Sequence, residues 1–229
     1  MLCISSRPRT LVLLISVPEI EAVVLGPTGG TLGDRLLVPR SVDTALPATL
    51  EALWPALEPL GEFDRVTVGS GRDLGDDWAA SALSRELERQ CMRPVRVVDR
   101  AELCFASIIG RSGVELVLSF GAQRLDSSMF FDGLCIPGLE LGRLQFRKRR
   151  TYSEYVASRV IERKGVKAWN KRVSRVVEQV LAGWNPAALY LAGPNAGNIT
   201  CHLPSNVTVV RERPDLAGAL APHSIPPPP

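Results

Sequence analysis

The chain is short of the residues that most often carry catalysis or crosslinks. Its 229 residues include two histidines, His202 and His223, and five scattered cysteines, Cys3, Cys91, Cys104, Cys135 and Cys201, with no C-x-x-C pair. An odd, dispersed set of cysteines indicates neither a disulfide framework nor a thiolate zinc site. A reducing cytoplasm is the expected compartment, and no metal site is expected in the protein itself. No apolar run approaches the about 20 residues that a membrane span requires. The run Leu11 to Val17 follows Arg7 and Arg9 as a secretory leader would, but Pro18, Glu19 and Glu21 come next and no small-residue cleavage site follows. It reads as a buried first strand. Net charge is only +3, too little by itself to imply nucleic acid. Neither a nucleic-acid nor a membrane partner is expected.

What is present is ordinary for a folded protein: 45% apolar and 22% charged residues, in a length that suits one large domain or two small lobes around a cleft. Leu11 to Ser16, Ala22 to Leu25 and Arg35 to Val38, broken by Gly26-Pro27-Thr28-Gly29-Gly30, read as a three-stranded meander. Thr44 to Leu60 puts Leu46, Leu50, Leu53 and Leu57 on one helical face, with Pro55 expected to kink it. Arg65 to Val68 and Val95 to Val98 read as strands, and Ala79 to Arg89 and Ala101 to Ile109 as helices. Further on, Leu116 to Phe120 and Met129 to Phe131 are strands on either side of a polar loop, and Asp132-Gly133 is a turn. Two amphipathic helices follow, Tyr152 to Arg163 and Val166 to Ala182. The stripe Val166, Trp169, Val173, Val176, Val177 and Val180 on the second suits a core, or failing that a subunit interface. Leu189 to Ala192 and Val207 to Val210 are strands, and Asp215 to Ala221 a closing helix. The tail, 222 to 229, ends in four prolines and is expected to be disordered. The run Arg147-Lys148-Arg149-Arg150 could meet an anion, though a solvated turn before a helix is its ordinary reading.

Leu116 to Phe146, LVLSFGAQRLDSSMFFDGLCIPGLELGRLQF, joins a strand, a Gly-containing loop, a strand ending in D-G and then E-L-G-R. This stretch resembles the middle of the ROK family of sugar kinases, most closely the polyphosphate-glucokinase branch, and the words KAWNKRV and GWNPAALYLAG resemble that branch in type almost throughout. The resemblance runs from about Thr10 to Ala221. It implies an α/β chain of the actin-like ATPase (ribonuclease H-like) fold, trimmed, with two lobes around a cleft: an N-terminal lobe over 11–98 and a C-terminal lobe over 99–221.

The resemblance also says where chemistry should lie. Phosphate donors are normally cradled on Gly-rich turns, because backbone N–H groups reach phosphates only where no side chain intervenes. The first family turn, D-I-G-G-T-G-I-K, corresponds to Leu14 through Glu21. Leu14 replaces the metal-phosphate aspartate, Pro18 removes an N–H, and Glu19 and Glu21 add charge that would repel a phosphate at ~4 Å by roughly a few kcal/mol. This turn is expected not to bind phosphate. The second turn, G-T-G-I-G, corresponds to Gly121 through Asp126, with Arg124 either an anion contact or an exposed loop arginine. The third, G-G-G-V-S, corresponds to Gly193-Pro194-Asn195-Ala196-Gly197. Gly121, Arg124, Gly193, Asn195 and Gly197 are thus the candidate phosphate-binding residues.

The family's general base lies in a motif like N-D-A-D, which corresponds to Asp99-Arg100-Ala101-Glu102. Arg100 at the base position cannot accept a proton. Asp99, one residue away, is the remaining candidate for catalysis, against a helix-capping role. Glu140, Gly142 and Arg143 of E-L-G-R match the sugar-binding turn, with Arg143 in place of a histidine. Glu140 fits two roles, acceptor for sugar hydroxyls or structural residue at the turn. Its asparagine-aspartate partners have no clear match in Gly69 to Trp78. The expected function is a catalytically inactive, polyphosphate-glucokinase-like binding or regulatory module with no certain cofactor. The alternative is an active glucokinase-type phosphotransferase using magnesium with ATP or polyphosphate. A hexose or polyphosphate is the expected ligand, and a homodimer or a pairing with an active paralogue the expected assembly. The family's DNA-binding repressors carry an N-terminal helix-turn-helix, and with the first strand read at Leu11 a repressor of that kind is not expected.

Overall fold

The computed structural model describes residues 8–16, 19–41, 44–71, 80–110, 112–211 and 216–220. The expected tail at 222–229 and the ends of the expected closing helix, Asp215 and Ala221, lie outside them. The chain divides into two compact units, Met1–Ser107 with Pro214–Pro229, and Ile108–Arg213. The division falls after Ser107, where the sequence suggested a boundary at 98/99, and the C-terminal segment returns to the first unit.

The first unit contains β1 (Thr10–Ile15), β2 (Glu19–Leu25), β3 (Leu36–Pro39), α1 (Leu46–Leu57), β4 (Arg65–Ser70), α2 (Ala80–Cys91), β5 (Val95–Asp99) and α3 (Arg100–Phe105). Its sheet has the order β3-β2-β1-β4-β5. β1 pairs antiparallel with β2 and parallel with β4, and β5 runs parallel to β4. A central strand must be apolar on both faces, and TLVLLI is. Its alternate residues feed two cores. Leu11, Leu13 and Ile15 join Leu46, Leu50, Leu53 and Leu57 of α1 and Leu83 and Leu87 of α2. Val12 joins Val23, Leu25, Leu103, Leu216 and Ala219. The returning segment is held by hydrogen bonds as well as by apolar burial: the Thr67 hydroxyl donates to the Ala219 carbonyl at 3.0 Å and the Arg96 guanidinium to the Gly218 carbonyl at 3.3 Å. A Cβ at Gly218 would lie 2.5 Å from the Glu102 carbonyl oxygen, so only glycine lets this segment approach α3 so closely.

The second unit contains β6 (Val114–Phe120), β7 (Leu125–Phe131), β8 (Leu134–Ile136), β9 (Gln145–Arg147), β10 (Arg150–Thr151), α4 (Tyr152–Val156), α5 (Arg159–Trp184), β11 (Ala188–Ala192) and β12 (Val207–Val209). Its main sheet has the order β12-β11-β6-β7-β8, with β6 antiparallel to β7 and parallel to β11. Two antiparallel hairpin strands on one side of a central strand and two parallel strands on the other is the pattern of the first unit over again. Trp169, Val173, Val176, Val177 and Val180 of α5 pack on Leu116, Leu118, Leu189 and Leu191, so the stripe serves its own unit's core, while Val166 at its end is 36% exposed. The Trp169 ring meets Phe120 edge-on at 5.6 Å and its N–H donates to the Val156 carbonyl at 2.7 Å.

Several elements differ from their sequence readings. β2 begins at Glu19, not Ala22, and β7 at Leu125, not Met129, because ladder pairing carries both strands through polar residues to the hairpin turn. The helix expected over Tyr152 to Arg163 is broken at Ala157–Ser158, where the Ser158 N–H donates to the Ala122 carbonyl at 2.9 Å. Gly165, with φ 77° and ψ 164°, kinks α5 where the sequence separates two helices. The expected closing helix is a single 3-10 turn, Ala217–Leu220. Among the described residues, no helix is long and apolar enough to cross a membrane.

Asn170, 5% exposed, clamps α5 to the segment after β11. It donates to the Val166 and Asn198 carbonyls at 3.0 and 2.8 Å and accepts from the Thr200 and Cys201 amides at 2.7 and 3.0 Å. Asn170→Ala strands these buried groups, with an expected loss of about 2–4 kcal/mol in urea unfolding monitored by circular dichroism.

Candidate functional site

In open α/β sheets, ligands bind beyond the carboxyl ends of the parallel strands. In the first unit, Ile15, Ser70 and Asp99 stand side by side at those ends. Asp99 has extended backbone, φ −62° and ψ 136°, and its Oδ1 accepts from the Ala101 N–H at 2.8 Å, making it the N-cap of α3. Arg100 is the first residue of that helix. Residues Val17 and Pro18 of the first candidate phosphate turn lie outside the described residues. At the rim of the turn, the Ser16 N–H and hydroxyl both donate to the Glu19 carbonyl, at 3.2 and 2.9 Å. The Glu21 carboxylate is paired with Arg35 at 2.6 Å.

Leu14 packs with the apolar group around Val12 and Val23, its Cδ2 3.0 Å from where a Cβ on Gly69 would sit. A hard cation such as magnesium takes oxygen ligands. A hydrocarbon at Leu14 and a carboxylate already paired to a guanidinium at Glu21 do not fit one. Among the described residues, no cluster of three or more His, Cys, Asp or Glu could hold a metal ion. Burial also pushes the Cys104 thiol up to about 11, so it is no nucleophile at neutral pH.

The second unit brings together Gly121, Gly193 and Asn195 at the carboxyl ends of β6 and β11. The β6–β7 loop is a tight turn closed by the Gly121 N–H donating to the Arg124 carbonyl at 3.0 Å. Asn195 Nδ2 donates to the Gly121 carbonyl at 2.9 Å and to Ser158 Oγ at 2.8 Å, and the Asn195 N–H to the Phe120 carbonyl at 3.1 Å. Three loops are thereby tied at one point. Gly193, with φ 94°, passes so close to β6 that a Cβ would lie 2.7 Å from both the Phe120 nitrogen and Ser119 Oγ. Gly197 has nothing within 4 Å of the equivalent position. Arg124 Nε lies 2.9 Å from Asp126 Oδ1 with both side chains well exposed.

Glu140, Gly142 and Arg143 form a 3-10 turn laid against β7. The Arg143 guanidinium donates to the Glu140 carboxylate at 2.8 Å, with 83% of the arginine side chain exposed. Pairs so exposed contribute little to stability. Ser127 Oγ stitches the turn down, donating to the Leu139 carbonyl at 3.0 Å and accepting from the Leu141 N–H at 2.9 Å. A Cβ on Gly142 would fall on the Leu125 carbonyl oxygen and 2.6 Å from Ser153 Oγ. Packing therefore accounts for Gly142 and Gly193 without a ligand. Sequence reasoning missed Ser153 and Ser158: the first accepts from the Leu125 N–H at 2.9 Å and the second joins the Asn195 network, but both lie in a segment whose composition suits an unbroken helix.

No protein-family model matches the chain, and no curated protein matches it. Solved structures do. An inorganic polyphosphate/ATP-glucomannokinase from Arthrobacter sp. strain KM superposes with a TM-score of 0.74 at 20% identity, over 93% of this chain and 97% of that one. A ROK family transcriptional regulator, a homolog of the E. coli MLC protein, gives 0.64 at 11% identity, over 93% of this chain and 77% of that one. The psk41 ParM protein gives 0.56 at 9% identity, over 94% and 95%. The chain thus resembles the ROK sugar kinases and has the actin-like ATPase fold in a short, trimmed form.

The two kinds of glycine separate experimentally. Gly142→Ala is expected to cost about 2 kcal/mol or more in chemical denaturation, because backbone must move, while Gly197→Ala stays within about 0.5 kcal/mol of the parent.

Proposed function

We propose that this chain, built on the fold of the ROK sugar kinases, no longer transfers phosphoryl groups and acts as a binding or regulatory module. The observation that carries this reading is Leu14. Where the resemblance calls for a metal-phosphate aspartate, the chain puts an alkyl side chain packed into the apolar layer beside Gly69. Support comes also from Arg100 at the base position, from Asp99 engaged as a helix cap, and from Glu140 paired with Arg143. A positioned base is worth about 10²–10⁴ in rate, so its loss alone leaves little turnover. A ROK family transcriptional regulator has the same fold, which supports a regulatory role on this scaffold.

A hexose or polyphosphate remains the ligand class we favour, with the chain acting as a homodimer or beside an active paralogue. Among the described residues Cys91, Cys104 and Cys201 are free thiols, which fits the cytoplasm. An active glucokinase-type phosphotransferase is the second reading, and one observation favours it: Asp99 keeps its place at the carboxyl end of β5, with only Oδ1 committed to the cap.

Purified protein incubated with glucose, magnesium and ATP, and then with polyphosphate, is expected to form no glucose 6-phosphate above a protein-free control in a coupled dehydrogenase assay. Turnover that Asp99→Asn abolishes would establish the second reading.

A further inference from the structure

The modest net charge conceals a strong segregation. Residues 143–175 hold 12 of the 27 Lys and Arg residues but only two of the 24 acids, Glu154 and Glu162, giving +10 in a chain whose total is +3. Among the described residues, Arg143 alone of those twelve has an ion-pair partner. The rest of the chain is therefore acidic, and this segment is a concentrated cationic surface within one unit.

Its centre is the β9–β10 hairpin. Arg147, Lys148, Arg149 and Arg150 are all exposed, and the two turn residues, Lys148 and Arg149, have φ of 54° and 57°. A two-residue turn with both residues left-handed normally takes Asn-Gly, because a Cβ is disfavoured there. This turn therefore accepts backbone strain and like-charge crowding together, and among the described residues none of the four hairpin cations has an ion-pair partner. The hairpin is continuous with α5. Phe146, beside Arg147, packs on Tyr155 at 4.8 Å. Arg172 lies 5.0 Å over the Tyr155 ring and donates to its carbonyl at 2.8 Å, and Arg175 donates to its hydroxyl at 3.2 Å.

We propose that the face formed by the β9–β10 hairpin and the Arg172–Arg175 side of α5 binds the phosphate backbone of duplex nucleic acid without reading its sequence. Arginine predominates, and its planar fork matches phosphate oxygens. Protein interfaces have apolar centres depleted in lysine, whereas nucleic-acid interfaces are strongly positive. Binding of single strands relies on exposed rings on which bases stack, but Tyr155 is 5% exposed. A lipid surface calls for inserted apolar side chains, and among the described residues Leu144 is the one exposed large apolar residue next to the hairpin. The inference does not depend on whether the chain transfers phosphate.

The test is fluorescence anisotropy with a short labelled DNA duplex of mixed sequence. With four hairpin cations engaged, affinity is expected to fall about 100-fold between about 50 and 200 mM salt. The double variant Lys148→Asn, Arg149→Gly installs the residues the turn geometry favours, so it is expected to melt at a higher temperature than the parent. Its duplex binding should nevertheless weaken at least about tenfold at low salt, and its salt slope should fall by about two. That pairing of greater stability with poorer binding is what a merely structural hairpin would not show. No duplex binding at low salt, binding unchanged in the double variant, or binding of inorganic polyphosphate or anionic vesicles without the duplex would overturn the proposal.

Discussion

The close approach of the β11 loop to the end of β6 is the constraint on which the second unit turns. With no Cβ at Gly193, the loop lies against the Phe120 backbone. Asn195 can then bond both the Gly121 carbonyl and Ser158. The tie sets the β6–β7 turn, seats the break between α4 and α5, and leaves Trp169 free to pack on Phe120 beneath it. In a phosphate-binding protein, loops at the carboxyl ends of parallel strands keep their polar groups for the ligand. Here the carboxamide of Asn195 donates within the protein, to the Gly121 carbonyl and Ser158 Oγ.

Other residues of the candidate site are likewise engaged within the protein. Gly142 is there because Leu125 and Ser153 leave no room for a side chain. Asp99 caps a helix. Trp169 and Asn170 of KAWNKRV hold α5 to its neighbours by hydrogen bonds to backbone.

Much of the fold was legible because it rests on periodicity. The leucines of α1 and the valine stripe of α5, Val166 at its end excepted, are spaced for burial and are buried. Strand starts at Glu19 and Leu125 were not legible, since polar residues enter a ladder when the neighbouring strand offers the hydrogen bonds. The break at Ser158 was hidden for a similar reason: it is fixed by a carbonyl of Ala122, distant in sequence. At the candidate site, residue types could be read but not their partners, such as the pairing of Glu140 with Arg143. The basic run around Lys148 and Arg149 was legible in the sequence, but not its continuity with Arg172 and Arg175 through Phe146 and Tyr155.

The central claim, a retained scaffold with its phosphate chemistry replaced, is tested most directly by calorimetric titration of magnesium-ATP, and separately of polyphosphate with magnesium, into the protein in the presence of glucose. The account predicts that neither ligand shows saturable binding that depends on magnesium. Magnesium-dependent, sub-stoichiometric-free saturation at one site per chain, lost in Asp99→Asn, would contradict it.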